Sequence, residues 1–291
     1  MIAEALVFSY DDEIGLRNLI PVILDAGFDQ IVVSYGSSNP VAYSFLEQYS
    51  GRVTLVRENR RLGKPSAFNA ARNFLKGDIL FMMSSDIQVS SFEVKRIISQ
   101  FHNNVGAIVP PVIPTERPSI VNKTGELLWH IRDSFLRIIS RKGEGVHGGE
   151  LVIFRTNLIK RIPQVVNDEE FICMEIRSSG YNVVFSEYPI VRNLVPDNVR
   201  DYIIQRERVI FGHRQMKQFG FSPKVLDFLA LEDPVNFCSS ILTAMFSRPK
   251  LAIYILPLMC LELISILRSK TYSMRSNPVI WKFAESTKQR D

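Results

Sequence analysis

Gly77-Asp78-Ile79-Leu80-Phe81-Met82-Met83-Ser84-Ser85-Asp86 is the stretch that decides the fold. Its apolar run lacks the alternation of a half-exposed strand and reads as a strand covered on both faces. Small polar residues and one acid follow directly at the carboxyl end of that run. The pattern recurs on both sides. Residues 5–9, 30–34, 53–56 and 106–109 are short runs rich in Val, Ile, Leu and Phe, and residues 13–26, 41–49, 65–76 and 91–101 between them have helical spacing. Pro65 suits a first helical position and Ser91 a cap. Strands alternating with helices imply an α/β fold with a mostly parallel sheet and helices on both faces. Ligands in such sheets collect beyond the carboxyl ends of the strands, so Ser9, Ser34, Val56 and Met83 open the loops of interest.

Downstream, residues 122–141 predict a helix, followed by the glycine-rich turn Gly143-Glu144-Gly145-Val146-His147-Gly148-Gly149. A strand at 151–154, a helix from near Asp168, strands at 182–186 and 190–194, and a charged helix over 198–218 follow. The last part differs. Residues 235–246 and 251–267 are apolar, separated by Ser247-Arg248-Pro249-Lys250, and the second stretch carries Pro257 and Glu262. Each is shorter than the roughly 20 residues of a bilayer span. Arg268, Lys270, Arg275, Lys282, Lys288 and Arg290 then outnumber Glu285 and Asp291. Apolar helices lying in a membrane interface fit this arrangement, as do a packed helical subdomain or a dimer interface.

The 46% apolar and 22% charged residues are those of a globular chain. A balance of 35 basic against 30 acidic residues does not suggest a nucleic-acid partner. Cys173, Cys238 and Cys260 lack metal-ligand spacing and suit a reducing compartment. The chain enters its first strand without a leader-like segment, which places the expected enzyme in the cytosol.

Four segments carry chemistry. Asp86 could hold a divalent cation bridging a donor diphosphate, or could be a turn or cap residue. Gly63-Lys64-Pro65 opens a helix whose N-terminus and ammonium would attract phosphates, although it is not a P-loop. Asn167-Asp168-Glu169-Glu170 puts acids in a first helical turn, where they complement the dipole or supply a general base. In Gln205-Arg206-Glu207-Arg208-Val209-Ile210-Phe211-Gly212-His213, Gln205 and Arg208 share a helix face that suits a diphosphate or a solvated ion-pair network.

Taken in order, these segments resemble the family-2 glycosyltransferases, inverting enzymes of the GT-A fold, over roughly residues 4–215. Phe8-Ser9-Tyr10-Asp11-Asp12 stands at the family's P-A-Y-N-E. Gly63, Lys64, Ala67 and Asn69 match G-K-x-x-A-x-N. The metal-binding D-x-D falls on Ser84-Ser85-Asp86, with only its second acid kept. T-E-D, whose final acid is the catalytic base, falls on Asn167-Asp168-Glu169. Q-x-x-R-W falls on Gln205, Arg208 and Val209, and the extended form adds Arg206 and Gly212, as in membrane-bound synthases and glycolipid-forming branches.

The resemblance implies transfer of a sugar, with inversion, from a UDP- or GDP-sugar to an acceptor hydroxyl. Ser9, Tyr10, Asp12, Ser34, Ser37, Lys64, Ser85, Gln205, Arg206 and Arg208 would hold the donor. Asp86 would hold Mg²⁺ or Mn²⁺, with His213 as helper. Glu169 is the lead base and Asp168 the second candidate, while His147, Gly148 and Gly149 face the acceptor. Val209 removes the aromatic platform of the polysaccharide synthases, which favours a lipid or glycolipid acceptor. Residues 1–220 are then the GT-A domain (1–110 for the nucleotide-sugar, 111–220 for the acceptor). Residues 221–291 would be a membrane-associated or oligomerising extension. A sugar-nucleotide nucleotidyltransferase is the rival enzyme, but the first loop lacks the glycines it needs. A non-catalytic sugar-nucleotide-binding protein is the other alternative.

Overall fold

A computed structural model describes residues 1–36, 41–89, 91–102, 104–275, 279–280 and 284–287. The alternation read from the sequence becomes β1 (Ala3–Tyr10), α1 (Glu13–Asp25), β2 (Gln30–Gly36), α2 (Val41–Glu47), β3 (Thr54–Glu58), α3 (Lys64–Ala71), β4 (Ile79–Ser84), α4 (Val94–Ile98) and β5 (Val105–Val109). The chain continues through β6 (Val112–Pro114), α5 (Ile120–Arg141), β7 (Leu151–Arg155), α6 (Asp168–Ser178), β8 (Asn182–Phe185), β9 (Val191–Asn193) and α7 (Val199–Gln215). It ends in α8 (Leu226–Glu232), α9 (Pro234–Ser247), α10 (Ile255–Ser269) and α11 (Tyr272–Arg275).

The main sheet runs β3-β2-β1-β4-β7-β5-β8, and a two-stranded sheet pairs β6 with β9. β1 sits between β2 and β4, parallel to both, with Phe8 opposite Ser34 and Ser84. That register brings the carboxyl ends of three strands to one edge. Leu6, Leu80 and Phe154 on one face and Val7, Phe81 and Ile153 on the other are all buried, so both sheet faces are core. This double cover is why the strands read as unbroken apolar runs.

β7 runs antiparallel to β4 and β5. Its apolar run reads the same in either direction, so its orientation had no sequence signal. The helix expected over 65–76 closes at Ala71 and finishes as a tighter turn, Arg72–Phe74. That expected over 91–101 shrinks to α4, although Phe92, Val94, Ile97 and Phe101 are all buried. The apolar side chains at helical spacing are core there, while the backbone completes little more than a turn.

The second C-terminal apolar stretch is longer than expected. A tight turn, Pro249–Tyr254, runs directly into α10, giving 21 helical residues, long and apolar enough to cross a membrane, Pro249–Ser269. Pro257 is tolerated because it lies in the first turn of α10. These helices bury only part of their apolar surface: Ala244, Leu251 and Leu258 pack on Leu127 and Ile131 of α5. Phe246 (83% exposed), Ile253 (74%) and Leu256 (69%) face outward, whereas Ser240, Ser265 and Ser269 are fully buried.

Candidate active site

The carboxyl edge of the sheet holds two adjoining pockets. The first collects Ser9, Tyr10, Asp12, Ser85 and Asp86 from the β1 and β4 ends, with Glu58 and Arg61 beyond β3. The second lies between α5, α6 and α7 and contains Trp129, His147, Gly148, Gly149, Asp168, Glu169 and Glu170. Lys64, Glu150, Gln205 and Arg208 line both, so they form the shared wall.

Ser85 organises the first pocket. Its hydroxyl donates to Asp12 Oδ2 at 2.5 Å and lies 3.1 Å from Ser9 Oγ. Asp12 also caps α1 by accepting from the Gly15 N–H at 3.2 Å. The Arg61 guanidinium lies over the Tyr10 ring, 5.2 Å from its centroid. Ser34 is placed otherwise than expected. It is fully buried and donates to Glu58 Oε1 at 3.0 Å, so Glu58 lines the pocket and Ser34 supports it from behind. Ser37 lies outside the described residues.

Asp86 stands just past β4, open to the pocket, and its pKa is raised to about 7, first by desolvation among the atoms that line the pocket and then by the negative charges of Glu150 and Asp12. Neighbouring carboxylates present hard oxygen ligands, which suit Mg²⁺ or Mn²⁺. Asp86 and Glu150 therefore fit as its protein ligands. Among the described residues no group of three or more acids, histidines or cysteines could hold a metal by itself. The remaining ligands would have to come from a bound diphosphate and water.

His213 cannot be the expected metal helper. Its Nε2 lies 3.1 Å from Glu170 Oε2, and its Nδ1 makes a short contact with Asp227 Oδ2. These two carboxylates outweigh burial and raise its pKa to about 10. A protonated imidazole has no lone pair for a metal. Arg206 is also corrected. Its guanidinium donates to both oxygens of Glu262, at 2.8 and 2.7 Å, and to Asp227 Oδ1 at 2.6 Å. Those bonds commit it to the C-terminal helices, leaving Gln205 and Arg208 on the shared wall.

The acids of α6 are resolved by their neighbours. Lys64 Nζ donates to Glu169 Oε1 at 2.8 Å, spanning 105 residues of sequence. Burial opposes ionisation of Glu169, but Lys64 offsets it and the carboxyl ends below its ordinary range. Asp168 is pushed well above the carboxylate range by burial and by the Glu169 charge. The pair titrates together, with the negative charge on Glu169 and the proton on Asp168. Asp168 Oδ2 and His147 Nε2 are buried without a hydrogen-bond partner, and both residues line the second pocket. Burial holds His147 neutral, with a pKa lowered to about 4.

Two glycines are required by close approach. A Cβ on Gly148 would lie 2.6 Å from the backbone carbon of Glu169, and one on Gly212 would lie 2.3 Å from Asn167 Oδ1. Asn69 proves to be a clip. Its amide donates to the Ile162 carbonyl at 2.8 Å and accepts from the Ile162 N–H at 2.9 Å, pinning the chain that leads to α6.

Glu58, Arg61, Glu150, Asn193 and Trp129 were not singled out as site residues from the sequence. Glu58 and Arg61 follow a strand end already marked for attention. Glu150 precedes β7, whose direction was unknown. Val279, Ala284 and Thr287 also reach the first pocket, which no sequence pattern announced.

A mostly parallel sheet with two pockets at its carboxyl edge, one acid closing β4 and an ionised carboxylate in the first turn of α6 accord with a glycosyltransferase of the GT-A fold. The chain belongs to the family described as glycosyltransferase like family 2, whose model matches residues 6–212. No curated protein matches the sequence. Among solved structures, the mannosyltransferase PcManGT from Pyrobaculum calidifontis in complex with GDP-Man and Mn²⁺ aligns with a TM-score of 0.63 at 16% identity, covering 94% of this chain and 86% of that one. TarS from S. aureus aligns with a TM-score of 0.50 at 13% identity, over 94% of this chain and 55% of TarS. Both likenesses are of fold.

Proposed function

We propose that the chain transfers a sugar from a UDP- or GDP-sugar, with inversion, to a hydroxyl of a lipid-linked acceptor at the cytoplasmic face of a membrane. The observation that carries this reading is the shared wall: Lys64, Glu150, Gln205 and Arg208 separate a diphosphate-sized pocket from one containing an ionised base. Ser9, Tyr10, Asp12, Glu58 and Arg61 hold base and ribose, while Gln205 and Arg208 hold the diphosphate. Asp86 and Glu150 would hold Mg²⁺ or Mn²⁺, which would supply charge neutralisation for a departing nucleoside diphosphate. Glu169 accepts the acceptor's proton, and the Lys64 ammonium keeps it ionised beforehand. Asp168, protonated, donates to the incoming acceptor or to Glu169.

The outward apolar face of α9 and α10 supports the membrane placement. Leu242, Phe246, Ile253, Leu256, Met259 and Leu263 are exposed there, and Arg248 and Lys250 lie exposed in the turn between. Basic residues flanking an apolar face suit an anionic bilayer.

The test is incubation with UDP-glucose and GDP-mannose plus Mn²⁺, with NMR of the released or transferred sugar. Donor consumption giving the opposite anomer, abolished in Glu169→Gln, is expected. Retention of configuration, or unchanged turnover in Glu169→Gln, would overturn the mechanism.

A further inference from the structure

A chain of buried charges joins the base-bearing turn of α6 to the C-terminal helices. Glu170, next to Glu169, faces His213 of α7 at 3.1 Å. His213 meets Asp227 of α8. Asp227 accepts from Arg206 at 2.6 Å, and Arg206 forks onto Glu262 of α10. Tyr202 closes the run by donating to Glu262 Oε1 at 2.7 Å. None of these side chains is more than 17% exposed among the three acids, Arg206 and His213.

Such an arrangement is an expensive way to pack helices. Replacing a buried ion network by apolar residues is often neutral or stabilising, whereas removing one member leaves an uncompensated charge. Apolar residues are plentiful in α9 and α10, and Ala244, Leu258 and Leu261 do pack inward, yet Glu262 is turned inward beside them. What the charges provide is direction. His213 offers one N–H to Glu170 and one to Asp227, so the α6 turn has a single orientation relative to α7 and α8. Asn167 adds a second tie, donating to the Val209 carbonyl at 3.0 Å, with Gly212 allowing the close approach.

We propose that His213, Asp227, Arg206 and Glu262 are positioning residues, which hold Glu169 in register with the donor pocket by way of the C-terminal helices. This rests on the reading of Glu169 as the base. The helices beyond residue 225 are thus part of the catalytic apparatus as well as a docking surface. It follows that deleting them is no clean test of membrane binding, because Arg206 and His213 would lose Asp227 and Glu262.

The experiment compares wild type with His213→Gln, Glu262→Gln and the double variant His213→Gln/Asp227→Asn. Hydrolysis of UDP-glucose or GDP-mannose, UDP or GDP affinity with Mn²⁺, and hydrogen exchange of the α6 amides are measured. His213→Gln is expected to lower kcat at least tenfold, leave nucleotide Kd within about twofold, and speed exchange at Phe171–Cys173 by at least tenfold. The double variant should lose less than the single, since both charges of one pair are gone. If His213→Gln does not fold, Glu262→Gln carries the same expectations. Unchanged kcat and α6 exchange in a folded variant would overturn the proposal, as would a parallel loss of nucleotide affinity. Should Glu169→Gln leave hydrolysis intact, the base assignment fails, and the exchange measurement alone decides whether the network orders α6.

Discussion

The sheet half and the C-terminal helices solve burial in opposite ways. In β1 and β4, Leu6, Val7, Leu80 and Phe81 are buried and the polar residues wait at the strand ends. In α9 and α10, Ser240, Ser265 and Ser269 are buried while Phe246, Ile253 and Leu256 face out. The first region binds by its loops and needs nothing outside itself to be covered. The second packs Ala244, Leu251 and Leu258 on Leu127 and Ile131 of α5, adds hydrogen bonds and ion pairs to the domain, and leaves a further apolar face exposed. Under the function proposed above, the exposed apolar face would meet a bilayer and the inward polar groups would position the site.

The comparison is broken most severely at the base. Glu169→Gln should lower kcat by about 10³-fold with the nucleotide still bound, the middle of the range for a positioned general base. Single-turnover kinetics against nucleotide titration separates the two effects. Next in size is the buried network. Asp227→Asn leaves His213 and Arg206 undercompensated and should cost about 3–5 kcal/mol of stability, read from urea unfolding, whereas Arg57→Ala at the exposed Glu47 pair should cost under about 1 kcal/mol. Exposed apolar residues come third. Phe246→Ser with Leu256→Ser should weaken partition to anionic vesicles about tenfold or more, at roughly 25 cal/mol per Å² of lost apolar contact, without lowering stability. Unchanged partition would turn this face toward a protein partner.

A further test is with pH. His213 is protonated in the fold up to about 10 and faces Glu170 and Asp227, with His147, Arg206 and Arg214 nearby. Its folded pKa lies above its unfolded value near 6.5. The charge therefore contributes full stability below about pH 6.5, which is lost progressively as pH rises toward 10. The difference in melting temperature between wild type and His213→Gln should narrow over that window.

The strands of residues 1–110 were legible because double burial writes itself as unbroken apolar runs, and the loops that matter follow those runs. Lys64, Asp86, Glu169, Gln205 and Arg208 could be marked because each lies at a fixed place on its own element. What could not be read depends on where distant elements meet. Arg206 and His213 share a helix with Gln205 and Arg208, and only the arrival of Asp227 and Glu262 decides that they serve a buried network. Ser34 had the right strand end and the wrong depth, since Glu58 of the neighbouring strand covers it. Glu150 became a partner of Asp86 only through the direction of β7.

The central claim is a metal-dependent nucleotide site at the end of β4. Calorimetric titration of UDP and of GDP, with and without Mn²⁺, on wild type, Asp86→Ala and Glu150→Ala tests it directly. The structure predicts that one nucleotide binds only with Mn²⁺, that Asp86→Ala abolishes this binding, and that Glu150→Ala weakens it at least tenfold. Equal affinity in Asp86→Ala, or the same affinity with and without metal, would contradict it.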